Sequence, residues 1–266
     1  MAQGASDDVD DDRLGRVQSL VRAFGLLDEL SKCDGMTLSE IARLVKLPRS
    51  TAHRLLTTME ALRYVEFDRR TSHWSIGVQA FTVGAAFVQT RDLGQLGRSI
   101  MRSLMNEVHH SVNISVKEGE GMCYVGQVAG TGLKQTVARP GACLSMHTTA
   151  SGKVLMAHWP QFELDRFVAG HVFHARTAHS ITDPTHFRDE LAQIRRQGFA
   201  VDDEEHASGL RCVAAAVLDR YGAPRASLSI SDTVVRLDRT RMSDLGPTLV
   251  MAASQMTAEI GAQLSF

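Results

Sequence analysis

The stretch Thr37-Leu-Ser-Glu-Ile-Ala-Arg-Leu-Val45, continued by Lys46-Leu47-Pro48 and Arg49-Ser50-Thr51-Ala52-His53-Arg54-Leu55-Leu56, decides the architecture of the N-terminal third. Thr37 stands before an apolar run with Glu40 three residues on, the spacing at which side chain and backbone cap each other at a helix start. Ile41, Ala42, Leu44 and Val45 supply its buried face. Pro48 suits the first turn of a second helix, because the N–H it lacks would have no partner there. Over about 48–62, Ala52, Leu55, Leu56, Met59 and Leu62 fall on one stripe, and Arg49, Ser50, His53, Arg54 and Thr57 face away from it. Two helices joined by a tight turn, the second with a basic polar outer face, form a helix-turn-helix layout.

Working outward, Val17, Leu20, Val21, Phe24, Leu27 and Leu30 repeat at helical spacing until Asp34-Gly35 breaks the pattern. Residues 64–67 and 73–76 read as two strands around the charged hairpin loop Asp68-Arg-Arg-Thr-Ser72, so the unit is winged. Helical spacing over 79–91 predicts a linking helix, and a further helix follows over 93–108 with Leu93, Leu96, Ile100, Leu104 and Val108 as its stripe. Strands are expected over 113–117, 121–128, 134–137, around Val201, and over 212–218 and 226–230. Helices are expected over 151–158, 185–197 and 240–262. Hairpins flanked by helices predict an α+β domain with an antiparallel sheet.

Composition narrows the class. The chain has 266 residues, 44% hydrophobic and 22% charged, which is ordinary globular composition for two domains. Its net charge of −1 conceals an asymmetry: residues 1–12 carry five acids and no base, whereas residues 13–76 carry eleven Lys/Arg against seven Asp/Glu. The acidic start reads as a disordered tail and lacks the apolar core of a secretory signal. No stretch reaches the ~18 consecutive apolar residues of a membrane helix. Cys33, Cys123, Cys143 and Cys212 lie far apart without a CxxC pair, which predicts free thiols in a reducing cytoplasm. The histidines form no HExxH or Cys-rich set, so neither metal nor cofactor is expected, and Lys153 lacks a P-loop frame.

Leu38-Ser-Glu-Ile-Ala42, Pro48-Arg-Ser-Thr51, Arg54-Leu-Leu56, His147-Thr-Thr-Ala-Ser-Gly-Lys-Val-Leu155, Gly198-Phe-Ala-Val-Asp-Asp-Glu-Glu205, Gly209-Leu-Arg-Cys-Val-Ala-Ala215 and Leu228-Ser-Ile-Ser231 agree in order and spacing with one family. Over about residues 14–262 the chain resembles the IclR family of bacterial transcriptional regulators. The resemblance implies a winged helix-turn-helix domain (13–77) behind the tail (1–12), a linker helix (78–92) and a GAF-like effector-binding domain (93–266). It also implies homodimers or homotetramers. Asp202-Asp-Glu-Glu-His206, Gly209-Leu-Arg-Cys212 and Ser229-Ile-Ser231 are similar to the glyoxylate-sensing repressors of allantoin metabolism. Those relatives carry a Gly-Ala pair where this chain has Ala150-Ser151, which keeps the site small and adds a hydroxyl.

Physical chemistry names the residues at each end. Arg49, Ser50, Thr51, His53 and Arg54 lie near the start of the second helix, where side chains reach base edges in the major groove of double-stranded DNA. Arg69 and Arg70 at the wing tip would neutralise phosphates. A net charge of +4 over residues 13–76 is modest, so paired copies on a pseudo-palindromic operator are expected. At the other end, Ala150, Ser151 and Gly152 open a helix whose N–H groups suit an anion. Ser229 and Ser231 share a strand face, and Cys212 offers a small wall. Asp202 fits beside an anion when it is protonated or accepts a bond from the hydrated aldehyde of glyoxylate. Glu204 and Glu205 read as a solvated loop. Pyruvate or an aromatic acid is the alternative ligand, and an enzyme acting on a small aldehyde-acid through Cys212 is the alternative class.

Overall fold

The computed structural model describes residues 17–89, 96–130 and 139–263. The acidic start, Leu93 and the strand expected over 134–137 lie outside the described residues. The chain divides into two compact units between Phe87 and Val88.

In the first unit, α1 (Gln18–Leu30), α2 (Leu38–Leu44) and α3 (Arg49–Ala61) close around Leu26, Leu30, Ile41, Ala52, Leu56 and Met59. The capping box forms as the sequence predicts: the Glu40 N–H donates to the Thr37 hydroxyl, and the Thr37 N–H donates to the Glu40 carboxylate at 2.8 Å. Lys46 takes a left-handed φ of 53°, which turns the chain so that the Leu47 N–H reaches the Ala42 carbonyl at 2.9 Å. α3 can therefore start immediately after α2. β1 (Val65–Asp68) and β2 (His73–Ile76) pair antiparallel from Val65↔Ile76 to Asp68↔His73, and Met36 bridges to Trp74 on the outer side. The Asp68 carboxylate accepts from the Arg70 N–H and the Thr71 hydroxyl, which folds the tip. Gly77 then packs so tightly that a Cβ would sit 2.4 Å from the Arg63 carbonyl oxygen, so only glycine fits before α4 (Val78–Gln89) begins.

The second unit runs α5 (Leu96–Val108), β3 (Ser111–Glu118), β4 (Gly121–Val128), β5 (Cys143–Ser145), α6 (Ala150–Met156), α7 (Gln161–Gly170), α8 (Pro184–Gln197), β6 (Phe199–Asp203), β7 (Leu210–Leu218), β8 (Pro224–Thr233) and α9 (Arg239–Gln263). Its sheet has the order β5-β4-β3-β8-β7-β6 with every neighbouring pair antiparallel. One face presents Val112, Ile114, Val213, Leu228 and Ile230 to Ile100, Leu104, Leu245 and Leu249 of α5 and α9. The opposite face presents Met122, Ala200, Cys212 and Ala214 to Ala150 and Val154 of α6, in one core with Phe187, Leu191 and Ile194 of α8. This is the expected α+β architecture.

The structure corrects the reading of the cysteines. Cys123 and Cys143 are bonded as a disulfide, with Cα atoms 4.0 Å apart, because they are direct register partners on β4 and β5. With β5 unforeseen, two cysteines 20 residues apart looked independent. Cys33 and Cys212 are free thiols, one exposed and one buried. α7 was not expected either; it buries only Leu164 and Val168, too few apolar positions for a periodic signal.

Candidate functional site

Two surfaces gather the residues expected to act. On α3, Arg49, Ser50, His53 and Arg54 are exposed and Thr51 is half-buried beside the core residue Ala52. The His53 ring stands edge-on to Trp74 at 6.4 Å, so the hairpin fixes one side of this face. Arg69 and Arg70 are exposed at the hairpin tip. Among the described residues none of Arg49, Arg54, Arg69 and Arg70 joins a salt bridge, which leaves four cations to meet an external anion.

The second surface is the inner face of the large sheet. Asp202 pairs with Cys212, Cys212 with Ser231, and Ser231 with Ser111, so these four form one row across it. Ala214, Ser229 and Asn113 form the next row, continued to Gln127. The Asn113 side-chain amide donates across to the Ser231 hydroxyl of the first row at 3.0 Å, and Gln127 donates to the Asn113 oxygen at 2.8 Å. Ser231 is thereby oriented from behind. Ser115, Ser227 and Ser229 on the sheet and Ser151 on α6 are fully buried, and their hydroxyls have no hydrogen-bond partner among the described residues. Buried hydroxyls are normally satisfied, so hydroxyls left open on facing elements indicate space for something polar.

Asp202 is buried and accepts from the N–H groups of Glu205 at 2.7 Å and His206 at 3.2 Å. Burial, with the Glu205 charge beside it, pushes its carboxyl up to about 7 against the opposing pull of Lys153. The acidic loop is not wholly solvated as expected. Glu205 is buried because Lys153, itself fully buried, donates to it and to Glu190 at 3.0 Å. Burial works to lower the Lys153 pKa, but Glu205 and Glu190 outweigh it and hold the ammonium charged. Glu204 turns outward with φ 66° and accepts from the Gly209 N–H.

The start of α6 has one of its donors taken within the protein: the Thr149 hydroxyl accepts from the Gly152 N–H at 3.2 Å. Gly152 serves packing: a Cβ there would lie 2.1 Å from the Met146 carbonyl oxygen. What the helix contributes to the sheet face is the Ser151 hydroxyl. Burial pushes the Cys212 thiol up, with the Asp202 charge adding to it, so it is a poor nucleophile. Sequence reading missed Lys153 and Glu190, whose partners lie 37 to 52 residues apart and carry no local signal. Of the histidines, His171 Nε2 lies 2.9 Å from His147 Nδ1, and His110 Nδ1 bonds Asp232.

Comparison with known proteins agrees with this geometry. The model of the IclR helix-turn-helix domain matches residues 19–69, and that of the bacterial transcriptional regulator IclR C-terminal domain matches residues 85–258. The transcriptional repressor IclR of Escherichia coli is 36% identical over 250 residues, 93% of this chain and 91% of the relative. The HTH-type transcriptional repressor AllR of Klebsiella pneumoniae is 31% identical over 245 residues, 92% of this chain and 90% of the relative. The crystal structure of Thermotoga maritima IclR superposes with a TM-score of 0.79 at 25% identity, over 92% of this chain and all of that one. These relatives are regulators, not enzymes, and with both domain models matched the chain belongs to the IclR family as a DNA-binding transcriptional regulator.

Proposed function

We propose that this regulator works in the cytoplasm as a homodimer or homotetramer on a pseudo-palindromic operator, its DNA affinity set by a small organic acid, glyoxylate first. Residues 13–77 would bind DNA, with Arg49, Ser50, Thr51, His53 and Arg54 in the major groove and Arg69 and Arg70 on phosphates. Residues 78–92 would link them to the effector-binding residues 93–266. Ser151, Asp202, Cys212, Ser229 and Ser231 would line the effector site, with Ala150 and Gly152 closing it.

One observation supports the effector reading most: the buried Ser229 hydroxyl shares a sheet face with Asp202 and Cys212, α6 with its buried Ser151 hydroxyl packs against that face, and neither hydroxyl has a hydrogen-bond partner among the described residues. An acid with a hydrated aldehyde supplies acceptors for the hydroxyls and a hydroxyl for Asp202. The motif similarity to glyoxylate-sensing members points the same way. Calorimetric titration of the full chain with glyoxylate, pyruvate, glycolate and an aromatic acid tests it. Saturable binding of glyoxylate, lost on Ser229→Ala, is the expected result. Silence toward all four acids would remove the small-acid reading and leave the DNA-binding function untouched.

A further inference from the structure

Tyr124 lies outside the residues that the sequence assigns to the effector site, yet the fold brings it there. On β4 it opposes Ser115, which opposes Ser227, which opposes Ala216. Register partners share a face, so Tyr124 stands on the inner face that carries Asn113, Ser229 and Cys212. The irregularity in the β3–β4 register between Ile114 and Ser115 is what puts it there, three residues before Gln127.

The side chain is buried, at 3% exposure, and its backbone is fixed on both sides. The Tyr124 N–H donates to the Ala142 carbonyl at 2.9 Å, and its carbonyl accepts from the Gly141 N–H at 2.7 Å. The phenol and the Ser151 hydroxyl are neighbours without a full hydrogen bond: Ser151 has no partner among the described residues, although it stands near enough to ease the phenol's ionisation. Burial, together with Cys212 and Asp202 across the face, raises the phenol pKa far above neutrality. Tyr124 therefore keeps its proton and is a constant donor. A buried tyrosine hydroxyl usually has an acceptor, and here Ser151, Cys212 and Asp202 of the candidate effector site are among the groups that act on it.

We infer that Tyr124 is a specificity-determining residue of the effector site, donating its phenolic proton to an oxygen of the bound acid alongside Ser151. The inference rests on the small-acid reading above. The buried Lys153 ammonium is already bound to Glu190 and Glu205, so recognition falls to neutral donors, and removing one of them is felt directly.

Two measurements on the full chain test this. Calorimetry with glyoxylate and pyruvate compares wild type with Tyr124→Phe, which keeps the ring and the packing; Kd is expected to rise about tenfold or more, the weight of one buried bond to an anion. Near-ultraviolet difference spectra of the wild type should show a tyrosine band on adding the acid, absent in Tyr124→Phe, a signature that a purely packing role would not produce. Acid binding by the wild type with an unchanged Kd in Tyr124→Phe and no tyrosine band would overturn the assignment alone. A wild type that binds neither acid would overturn it together with the small-acid reading.

Discussion

Asp202 shows how one residue can couple ligand, pH and stability. Its carboxyl is lifted from an ordinary value of 3.8 to about 7, chiefly by burial, so between those values the folded chain holds a proton that the unfolded chain has released. Stability from this group is complete below about pH 4 and falls as pH rises to 7, by on the order of 4 kcal/mol. Asp202→Asn keeps an oxygen for the N–H groups of Glu205 and His206 while removing the titration. Denaturant unfolding should therefore show the variant gaining on wild type between pH 5 and 8; parallel curves would refute a buried, proton-holding Asp202. On the proposed effector site the same proton would affect the ligand. An anion meets a neutral neighbour below pH 7 and a repulsive one above it, so glyoxylate affinity should drop from pH 6 to 8 in wild type and stay level in Asp202→Asn. Charge also sets the ligand class. Oxalate resembles glyoxylate in size but carries a second charge, and Lys153 is already bound to Glu190 and Glu205. Oxalate should bind at least about tenfold more weakly by calorimetry, because a second buried charge would lack a partner.

At the scale of elements, what could be read from the sequence was whatever is local. α1, α2 and α3 carry apolar stripes, and Thr37 with Glu40 marks a helix start that the structure reproduces bond for bond. Thr37→Ala should lower stability by about 1 kcal/mol, measured as a shifted denaturation midpoint, since the Glu40 N–H loses its acceptor and the Glu40 carboxylate loses the hydroxyl that donates to it. Ser229 and Ser231 were recognisable as sharing a face because strand periodicity is two. The remainder depended on pairings distant in sequence. β5 has three residues, too short for alternation, and without it neither the Cys123–Cys143 bond nor the position of Tyr124 beside the 139–142 loop could be foreseen. Lys153 follows Gly152 in a helix that is buried throughout, where composition gives no hint of its two carboxylate partners. On the proposed reading α3 and the hairpin tip would divide the work on DNA in a way mutation can separate. Arg54→Ala should relax base preference at one operator position by roughly 1–3 kcal/mol, whereas Arg69→Ala with Arg70→Ala should weaken all sequences alike and flatten the salt dependence. Quantitative binding to operator variants across salt concentrations distinguishes these results from a uniform loss by both.

The proposed pairing of copies on an operator would place a requirement on the whole molecule, that its DNA-binding units meet. A surplus of four positive charges over residues 13–76 is a weak footprint for one copy on DNA. The same unit leaves an apolar stripe uncovered on α1 and the residue preceding it: Val17, Leu20, Val21 and Phe24 are each more than half exposed. Their spacing places them on one side of the helix, and stripes of that kind on a soluble protein mark association surfaces. On the paired reading proposed above, a second copy of this chain would cover the stripe, because two half-sites joined through α1 would strengthen a weak contact by on the order of 10²–10⁴. Leu20→Asp with Phe24→Asp should separate the paired DNA-binding units without disturbing Leu26 and Leu30, the buried side of the same helix. Operator affinity should then fall about a hundredfold or more, and the slope of log affinity against log salt should halve, since half the phosphate contacts remain. Ultracentrifugation gives the mass and mobility shifts give the slope. If the double variant bound the operator with the wild-type slope, pairing through α1 would be excluded, and the effector units would have to bring the half-sites together instead.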